Sequence, residues 1–169
     1  MPMTGAAVQS HVIAIQHGLL RAIDAIAERI HPANEAAVSH LETGLVGEGE
    51  ALFYLRRRGY VIVARRWKTP KVSGDVDLIG WDGASLCFIE VKTRTGRTVV
   101  PAEFAVDEHK QRVLRSMAAV FRKRLPKGAQ KETEYRFDVV SVYLPGSGAG
   151  QNARPAIELL QGAFGSRAN

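Results

Sequence analysis

The stretch GDVDLIGWDGASLCFIEVKTR at residues 74–94 contains two apolar runs separated by the turn-forming segment WDGAS. Apolar runs around such a turn are typical of a β-hairpin, which constrains the fold more than any other feature of the chain. The hairpin carries charges where strands usually lack them: Asp75 and Asp77 lie in the first run, Glu90 and Lys92 in the second. Buried strands exclude such residues unless the charges have partners. The hairpin therefore predicts either a salt-bridge cluster or a functional site.

Side chains alternate between the two faces of a strand, which predicts where these charges point. Val76 and Leu78 are expected to share an entirely apolar face of the hairpin. On the other face, a four-residue loop would place Asp77 directly opposite Glu90, whereas a two-residue turn would place the two residues diagonally. Both registers put Asp77, Glu90 and Lys92 on one face, so the carboxylates are expected to converge at the end of the hairpin farthest from the turn.

The rest of the chain supplies helices and further strands around the hairpin. Apolar residues at helical spacing predict helices at about 35–58 and up to about 125, the first ending at Gly59 and the second capped by Asp107. Strands are predicted at 60–67 and 136–144, with a short strand or helix at 155–164, and a loop at 126–132. A long helical crossover before the strand at 136–144 favours a parallel pairing there. The predicted fold class is α/β, with a mixed central sheet flanked by helices.

Residues 11–30 form a separate amphipathic pattern, which predicts an extra N-terminal helix ended by the HPAN segment at 31–34. We therefore expect an N-terminal extension at 1–33 and a main domain at 34–169. The apolar side of the extra helix needs a partner, and the two alternatives are the main domain and a second copy of the chain. The second alternative predicts a homodimer, or an adaptor that binds other proteins.

Composition narrows the class of protein. The chain has 169 residues, of which 46% are hydrophobic, so it can form a core. Its net charge of +6 favours a polyanionic partner such as nucleic acid, although a basic solvated surface gives the same charge. Cys87 is the single cysteine, which excludes an intramolecular disulfide and predicts a buried core thiol. The sequence shows neither a membrane-spanning apolar run nor a signal peptide, so we expect a cytoplasmic protein that does not insert into membranes.

Two helices are predicted to direct further charges toward the hairpin. The buried stripe of the first helix, Leu41, Leu45, Leu52 and Leu55, also includes Glu48, whereas Glu50 falls off the stripe and is expected to be solvated. Lys110 falls in register with Leu114, Met117 and Phe121 in the second helix. A buried salt-bridge cluster would explain each charge separately, but their convergence favours a functional site. Magnesium suits such a site, because it needs only one or two carboxylates, to which the backbone carbonyl of Val91 could be added.

Several segments of the chain together resemble a known family. Asp77 followed by Glu90-Val91-Lys92 resembles the D…(D/E)-x-K signature of restriction-endonuclease-like nucleases, the PD-(D/E)xK superfamily that includes Holliday-junction resolvases. The segments GEGEALFYLRRRGY, GDVDLI, FIEVKTR, HKQRVL and RFDVV, between residues 47 and 140, resemble the YraN-type family of endonuclease-like proteins. This resemblance implies a restriction-endonuclease-like αβββαβ core with active-site positions at Glu48, Asp77, Glu90 and Lys92. Asp75 stands where the family carries glutamate, and Lys110 and Asp138 match recurrent positions.

The resemblance implies an endonuclease that hydrolyses phosphodiester bonds in DNA, including branched or repair intermediates, with Mg²⁺ or Mn²⁺ as cofactor. Asp77, Glu90, Val91 and Glu48 would hold the metal, and Lys92 would orient the attacking water. The basic residues expected to contact the nucleic-acid backbone are Arg65, Arg66, Lys68, Arg94, Lys110 and Arg112. Trp67 would either stack on a base or cover the sheet edge. The alternative is a nucleic-acid-binding protein of the same fold without catalysis.

Overall fold

A computed structural model describes residues 35–95, 106–146 and 153–165, with side chains described from residue 41 onward. Residues 1–42 and 43–169 form separate compact units, and the contacts reported below lie within the second unit. The predicted helix at 11–30 lies outside the described residues, so the homodimer contact and the boundary between 33 and 34 stay predictions. Within the described ranges, no helix is long and apolar enough to cross a membrane.

The elements follow the predicted order of helix, three strands, helix and strand. In chain order they are α1 (Glu35–Arg57), β1 (Val61–Thr69), β2 (Val72–Asp82), β3 (Ser85–Thr95), α2 (Glu108–Arg122), α3 (Ala129–Glu132), β4 (Tyr135–Leu144) and β5 (Ala156–Phe164). The tail is thus a strand, and the short helix α3 lies where the sequence predicted a loop. The strands form one sheet in the order β1-β2-β3-β4-β5. The β3–β4 pair is parallel and the other pairs are antiparallel, which confirms a mixed sheet flanked by helices.

Each face of the sheet packs against one helix. On one face, Ile79 and Phe88 of the hairpin form a core with Leu114 and Met117 of α2. On the opposite face, the core consists of residues from the second half of α1, from the turn after it and from the strands, namely Leu52, Leu55, Tyr60, Leu78, Cys87, Ile89, Val140 and Val142. Both faces of the central strands are therefore buried, which explains why β3 and β4 are nearly continuous apolar runs.

Local sequence signals fix the helix ends that face the hairpin. Gly59 has φ 94° after α1, and Tyr60 N–H donates to the Leu55 carbonyl at 3.1 Å. This bond, with the Gly59 N–H bond to Arg56, forms the Schellman motif expected of a glycine at this position. Asp107 caps α2, because its Oδ1 accepts from Lys110 N–H at 2.8 Å. The cap places Lys110 in the first turn of α2.

Helix α1 buries a wider arc than its leucine spacing predicted. Leu52 and Leu55 are buried as expected, but Leu41 is 63% exposed, because the buried positions of α1 begin only at Gly47. Glu50 is also wrongly predicted: it is 8% exposed instead of solvated, and it lies on the arc beside the buried Ala51. A single stripe of apolar residues therefore underestimates how much of this helix the sheet covers.

The sheet divides at the end of the hairpin farthest from its turn. Pairing between β2 and β3 runs from Asp82–Ser85 to Leu78–Ile89 and stops there. Beyond that point β2 stays paired with β1, while β3 stays paired with β4 as far as Thr95. The two halves of the sheet thus separate beyond the Leu78–Ile89 pair, and we call this point of separation the fork. The gap between β2 and β3 at the fork leaves space for polar side chains.

One prediction about the hairpin faces is wrong at this fork. Val76 does not share a face with Leu78, because Val76 packs with Ile79 in the core against α2. Strict alternation cannot place both Val76 and Ile79 on one face. The break lies opposite Arg66, which is in β1 between the partners of Leu78 and Val76 and has φ 45°. The pleat of β1 is thus interrupted opposite the point where the alternation of β2 breaks and where β2 separates from β3.

Helix α1 approaches the fork closely at Gly47, and this contact can be tested. A Cβ at Gly47 would lie 2.7 Å from Thr93 Cβ, whereas a Cβ at Gly49 would meet nothing within 4 Å. We expect Gly47→Ala to lower the free energy of unfolding by about 1–3 kcal/mol through overpacking. Gly49→Ala should raise it by about 0.5–1 kcal/mol, because alanine favours the helix. Urea denaturation of both variants measures the difference, and equal effects would contradict the close approach.

Candidate active site

Asp77 lies in the gap where β2 and β3 separate. The observed pairs place Ile79 opposite Phe88 and Leu78 opposite Ile89, and extending this register by one residue brings Asp77 directly across from Glu90. This is the register predicted for a four-residue loop. Instead of a strand partner, the Val91 N–H donates to Asp77 Oδ2 at 2.7 Å. The carboxylate of Asp77 therefore replaces a backbone acceptor at the point where the two strands part.

Glu90 is 4% exposed and lies between two lysines. Its Oε1 accepts from Lys92 Nζ at 3.0 Å, and its Oε2 lies 3.0 Å from Lys110 Nζ. The second contact is an ion pair without hydrogen-bond geometry, because Oε2 is buried and accepts no hydrogen bond within the part of the chain that is described. Lys110 also donates to the Asp75 carbonyl at 3.2 Å and lies 3.7 Å from Asp75 Oδ1. Lys110 was predicted to contact nucleic acid, and here it contacts the acids.

Glu48 reaches the same region from α1, where it pairs with Arg66. Arg66 Nε donates to Glu48 Oε2 at 2.8 Å, and Arg66 Nη2 donates to Oε1 at 3.0 Å. Both carboxylate oxygens of Glu48 are thus engaged in a bidentate pair, the strongest geometry for these groups. The pKa of Arg66 is raised, mainly by this hydrogen bond and also by the charges of Asp75 and Asp77, which shows how near the acids are.

We call these seven residues the fork cluster: Glu48, Arg66, Asp75, Asp77, Glu90, Lys92 and Lys110. Four are acids and three are cations, and among the described residues only Asp77 of the four acids has no ion pair within 4.0 Å. Burial, and then the charge of Glu90, raise the pKa of Asp77 from 3.8 to about 7. Ionising Asp77 therefore leaves the cluster with one uncompensated negative charge.

The donors at the fork can be compared with what a divalent cation requires. The described residues contain no group of three or more His, Cys, Asp or Glu side chains that could hold a metal ion. Two hard carboxylate donors do face each other, however: Asp77, which has no ion pair with a described residue, and Glu90, whose buried Oε2 accepts no hydrogen bond from a described residue but lies 3.0 Å from Lys110 Nζ. Magnesium takes oxygen ligands and usually retains waters and substrate phosphates beyond one or two carboxylates. The pair fits such an open site and does not fit an all-protein cage.

The other basic residues predicted to contact nucleic acid differ in how far they are exposed to solvent. Arg65, Lys68 and Arg112 are exposed, and Arg94 is partly exposed. An open cleft of about 510 Å³ runs between the start of β2 and α2 and is lined by Lys110 and Arg112, with His109 beside them. Trp67 does not offer its ring to a base, because it is buried edge-on against Phe121 at 5.2 Å. The alternative prediction, that Trp67 covers part of the sheet, is the one that its packing matches.

Asp138 lies away from the fork cluster. It pairs in register with Ile89 and points to the face of α1, whereas Glu90 points to the face of α2. Asp138 accepts from Arg136 Nε at 2.9 Å and from Gly162 N–H at 2.9 Å. A polar network that includes Tyr60, Asp82 and the exposed Gln161 surrounds it. The pattern of apolar residues did not predict this network, although Arg136 and Asp138, two residues apart on an apolar strand, were a signal for it.

Cys87 belongs to the core beside that network, as predicted. It is fully buried, and burial, with the nearby charge of Asp138, raises the pKa of its thiol to about 12. A thiol with such a pKa is not a nucleophile at neutral pH.

Comparison with known proteins places this cluster in a family. The profile of UPF0102, described as an uncharacterised protein family, matches residues 47–142. This chain belongs to the UPF0102 family. A UPF0102 protein of Koribacter versatilis is 45% identical over 125 residues, which cover 74% of this chain and 80% of that protein. A UPF0102 protein of Solibacter usitatus is 39% identical over 146 residues, covering 86% and 97%. The UPF0102 match includes all seven residues of the fork cluster.

The raised pKa of Asp77 predicts a pH-dependent effect on stability in metal-free buffer. The folded-state pKa of about 7 exceeds the ordinary value of 3.8. The associated stability is therefore fully present below pH 3.8 and lost as the pH rises through 7. Asp77→Asn keeps an acceptor for Val91 N–H but carries no charge. We expect it to raise the free energy of unfolding at pH 8 by an amount on the order of 2 kcal/mol, and by less than half of that amount at pH 5, where only part of the stability of the wild type has been lost.

Denaturation of wild type and Asp77→Asn at both pH values, with chelator present, measures this effect. Glu134 provides a control, because it is an exposed acid that directly precedes β4, at the end of the strand near the hairpin turn and away from the fork. Glu134→Gln should change the free energy of unfolding equally little at pH 5 and at pH 8. If the effect of Asp77→Asn on the free energy of unfolding does not increase with pH, the charge of Asp77 does not destabilise the folded chain.

Proposed function

We propose that this UPF0102 protein is a metal-dependent endonuclease that hydrolyses phosphodiester bonds in DNA, with Mg²⁺ or Mn²⁺ as cofactor. The observation that carries the proposal is the pair of facing carboxylates at the fork, Asp77 and Glu90, with Lys92 beside them. An ammonium group next to two hard oxygen donors is suited to phosphate chemistry, in which negative charge develops on oxygen. The resemblance of the Asp77 and Glu90-Val91-Lys92 segments to restriction-endonuclease-like proteins supports the same reaction.

Each residue of the fork has a separate role in the proposed reaction. Asp77 and Glu90, with the carbonyl of Val91, are the oxygen ligands for the cation, which when bound supplies Lewis-acid stabilisation and lowers the pKa of the attacking water. Lys92 holds Glu90 at 3.0 Å and orients the water or the phosphate oxygen through its remaining N–H donors. Lys110 neutralises the second oxygen of Glu90 from the opposite helix. Arg65, Lys68 and Arg112 bind backbone phosphates, which positions DNA without reading its sequence.

The arrangement of elements supports assigning the fold to the restriction-endonuclease-like class. A helix, three antiparallel strands, a helix and a parallel strand occur in that order, and the proposed ligands lie where the second and third strands separate. A separating strand pair is a suitable place for such a site, because it frees polar groups that a continuous ladder would occupy. We infer that this chain combines the restriction-endonuclease-like fold with metal-dependent hydrolysis of phosphodiester bonds.

A binding protein without catalysis is the second candidate. Both Glu90 oxygens already face lysines, so the cluster could be neutral and inert. Such a protein would bind DNA in a salt-sensitive manner with no metal requirement and no turnover. The absence of any ion pair on Asp77 among the described residues favours the catalytic candidate, because an inert cluster gains nothing from an uncompensated buried acid.

Cleavage assays distinguish the two candidates. Linear, flapped and four-way branched DNA would be incubated with the full chain in Mg²⁺, Mn²⁺ or EDTA. We expect cleavage with either metal and none in EDTA. Asp77→Ala and Glu90→Ala should each reduce the rate at least a hundredfold, since each removes a proposed metal ligand. Glu134→Ala removes an exposed acid far from the fork and should leave the rate within twofold.

Circular dichroism of each variant would confirm that it is folded before rates are compared. Cleavage that survives both ligand substitutions would exclude the fork as the catalytic centre. Metal-independent binding with no product from any substrate would instead favour the second candidate.

A further inference from the structure

Arg66 has a backbone conformation that its residue type does not favour. Its φ of 45° makes it the one non-glycine residue with positive φ in the described ranges. Left-handed backbone is costly for residues with long side chains, and such outliers concentrate at functional sites. Nothing in a turn requires arginine here, because Arg66 lies within β1, between residues paired with Leu78 and Val76. The side chain of Arg66 is therefore the feature that needs an explanation.

Arg66 lies close enough to two acids of the fork cluster for the charges of Asp75 and Asp77 to raise its pKa. The register places Arg66 across from Asp77, which lies at the fork. Arg66 is 44% exposed, whereas its partner Glu48 is 12% exposed, so a guanidinium open to solvent is held by a largely buried acid. Glu48 binds the edge formed by Nε and Nη2. The other edge of the guanidinium, formed by Nη1 and the second Nη2 hydrogen, forms no hydrogen bond or ion pair with the described residues.

We propose that Arg66 binds a non-bridging phosphate oxygen of the DNA strand at the fork, and that Glu48 is a positioning residue for Arg66 instead of a metal ligand. This inference rests on the proposed function and replaces the metal role predicted for Glu48 from the sequence. A guanidinium presents two flat edges that can each form paired hydrogen bonds with an oxyanion. One edge is fixed by Glu48, so the other edge is oriented before the substrate arrives, which reduces the entropy lost on binding.

The chemistry of Glu48 agrees with this assignment. A carboxylate with both oxygens in a bidentate guanidinium pair has to break that pair before it binds a cation. Asp77 has no ion pair with any described residue, and Glu90 is paired only with the single ammonium groups of Lys92 and Lys110, each at 3.0 Å, instead of with a bidentate guanidinium. The cation would therefore bind to those two acids and leave Glu48 with Arg66.

The first test measures binding of a fluorescent branched DNA duplex by the full chain in EDTA, where no cleavage occurs. Arg66→Asn suits the left-handed backbone, so the variant should fold. We expect it to weaken binding about tenfold and to reduce the slope of log affinity against log salt by about 0.9, the value for one lost phosphate contact. Arg66→Lys should recover part of the affinity and most of the slope. An affinity and a salt slope equal to wild type in Arg66→Asn would overturn the proposal.

The second test separates the two roles of Glu48. Mn²⁺ binding would be measured by calorimetry without DNA for wild type, Glu48→Gln and Asp77→Ala. We expect Glu48→Gln to keep Mn²⁺ affinity within twofold while weakening DNA binding severalfold, and Asp77→Ala to lose at least tenfold in Mn²⁺ affinity. Glu48→Gln combined with Arg66→Asn should bind DNA no worse than Arg66→Asn alone, because both changes remove one contact. A tenfold loss of Mn²⁺ affinity in Glu48→Gln would restore Glu48 as a ligand and overturn its positioning role.

These outcomes can be told apart from failure of the proposed function. A wild-type chain that cleaves DNA, with Arg66→Asn unchanged in binding, would overturn the role of Arg66 alone. A wild-type chain that binds DNA through Arg66 but never cleaves would retain this inference and remove the catalytic proposal. A wild-type chain that binds no DNA would overturn both.

Discussion

The hydrogen bond from Val91 N–H to Asp77 Oδ2 is the interaction on which the architecture of the fork depends. Where antiparallel strands separate, backbone groups lose their partners, and a buried N–H without an acceptor is costly. The Asp77 carboxylate supplies that acceptor at 2.7 Å, so the sheet can divide without leaving the β3 backbone unsatisfied. The same contact holds the carboxylate opposite Glu90. The solution to a folding problem therefore also creates the polar site.

The charged side chains at the two ends of the hairpin differ in how completely they are paired. Near the turn, Arg136 is paired with Asp82 at 2.6 Å and with Asp138 at 2.9 Å, and Tyr60 and Gln161 complete the network. A fully bonded network of this kind rigidifies the sheet. At the fork, Asp77 lacks an ion pair among the described residues and Glu90 has an oxygen with no hydrogen bond. Among the described residues, the fork therefore holds a buried acid without an ion pair, whereas Asp82 and Asp138 near the turn are both paired with Arg136.

Much of this arrangement could be predicted from the sequence, for identifiable reasons. The period of two residues put Asp77, Glu90 and Lys92 together, and helical periodicity put Lys110 on the inner side of α2, because strong apolar patterns fix which side of each element is buried. Val76 was misplaced because alternation in β2 breaks where β2 separates from β3, and no sequence pattern reveals where two paired strands separate. Glu50 was misplaced because its burial depends on how widely the sheet covers α1. The pairing of Glu48 with Arg66 depends on tertiary distances that periodicity does not encode.

The charges of the fork cluster link the proposed cation to the proposed substrate. With all four acids ionised, the three cations leave the cluster one unit negative, and a DNA phosphate approaching Asp77 and Glu90 would be repelled. A divalent cation at these acids changes the local charge to positive and favours the phosphate. Conversely, the raised pKa of Asp77 shows that its ionised form is disfavoured when no such cation compensates it. Metal and DNA should therefore bind the fork cooperatively, and Lys92 and Lys110 limit the repulsion among the acids until both are present.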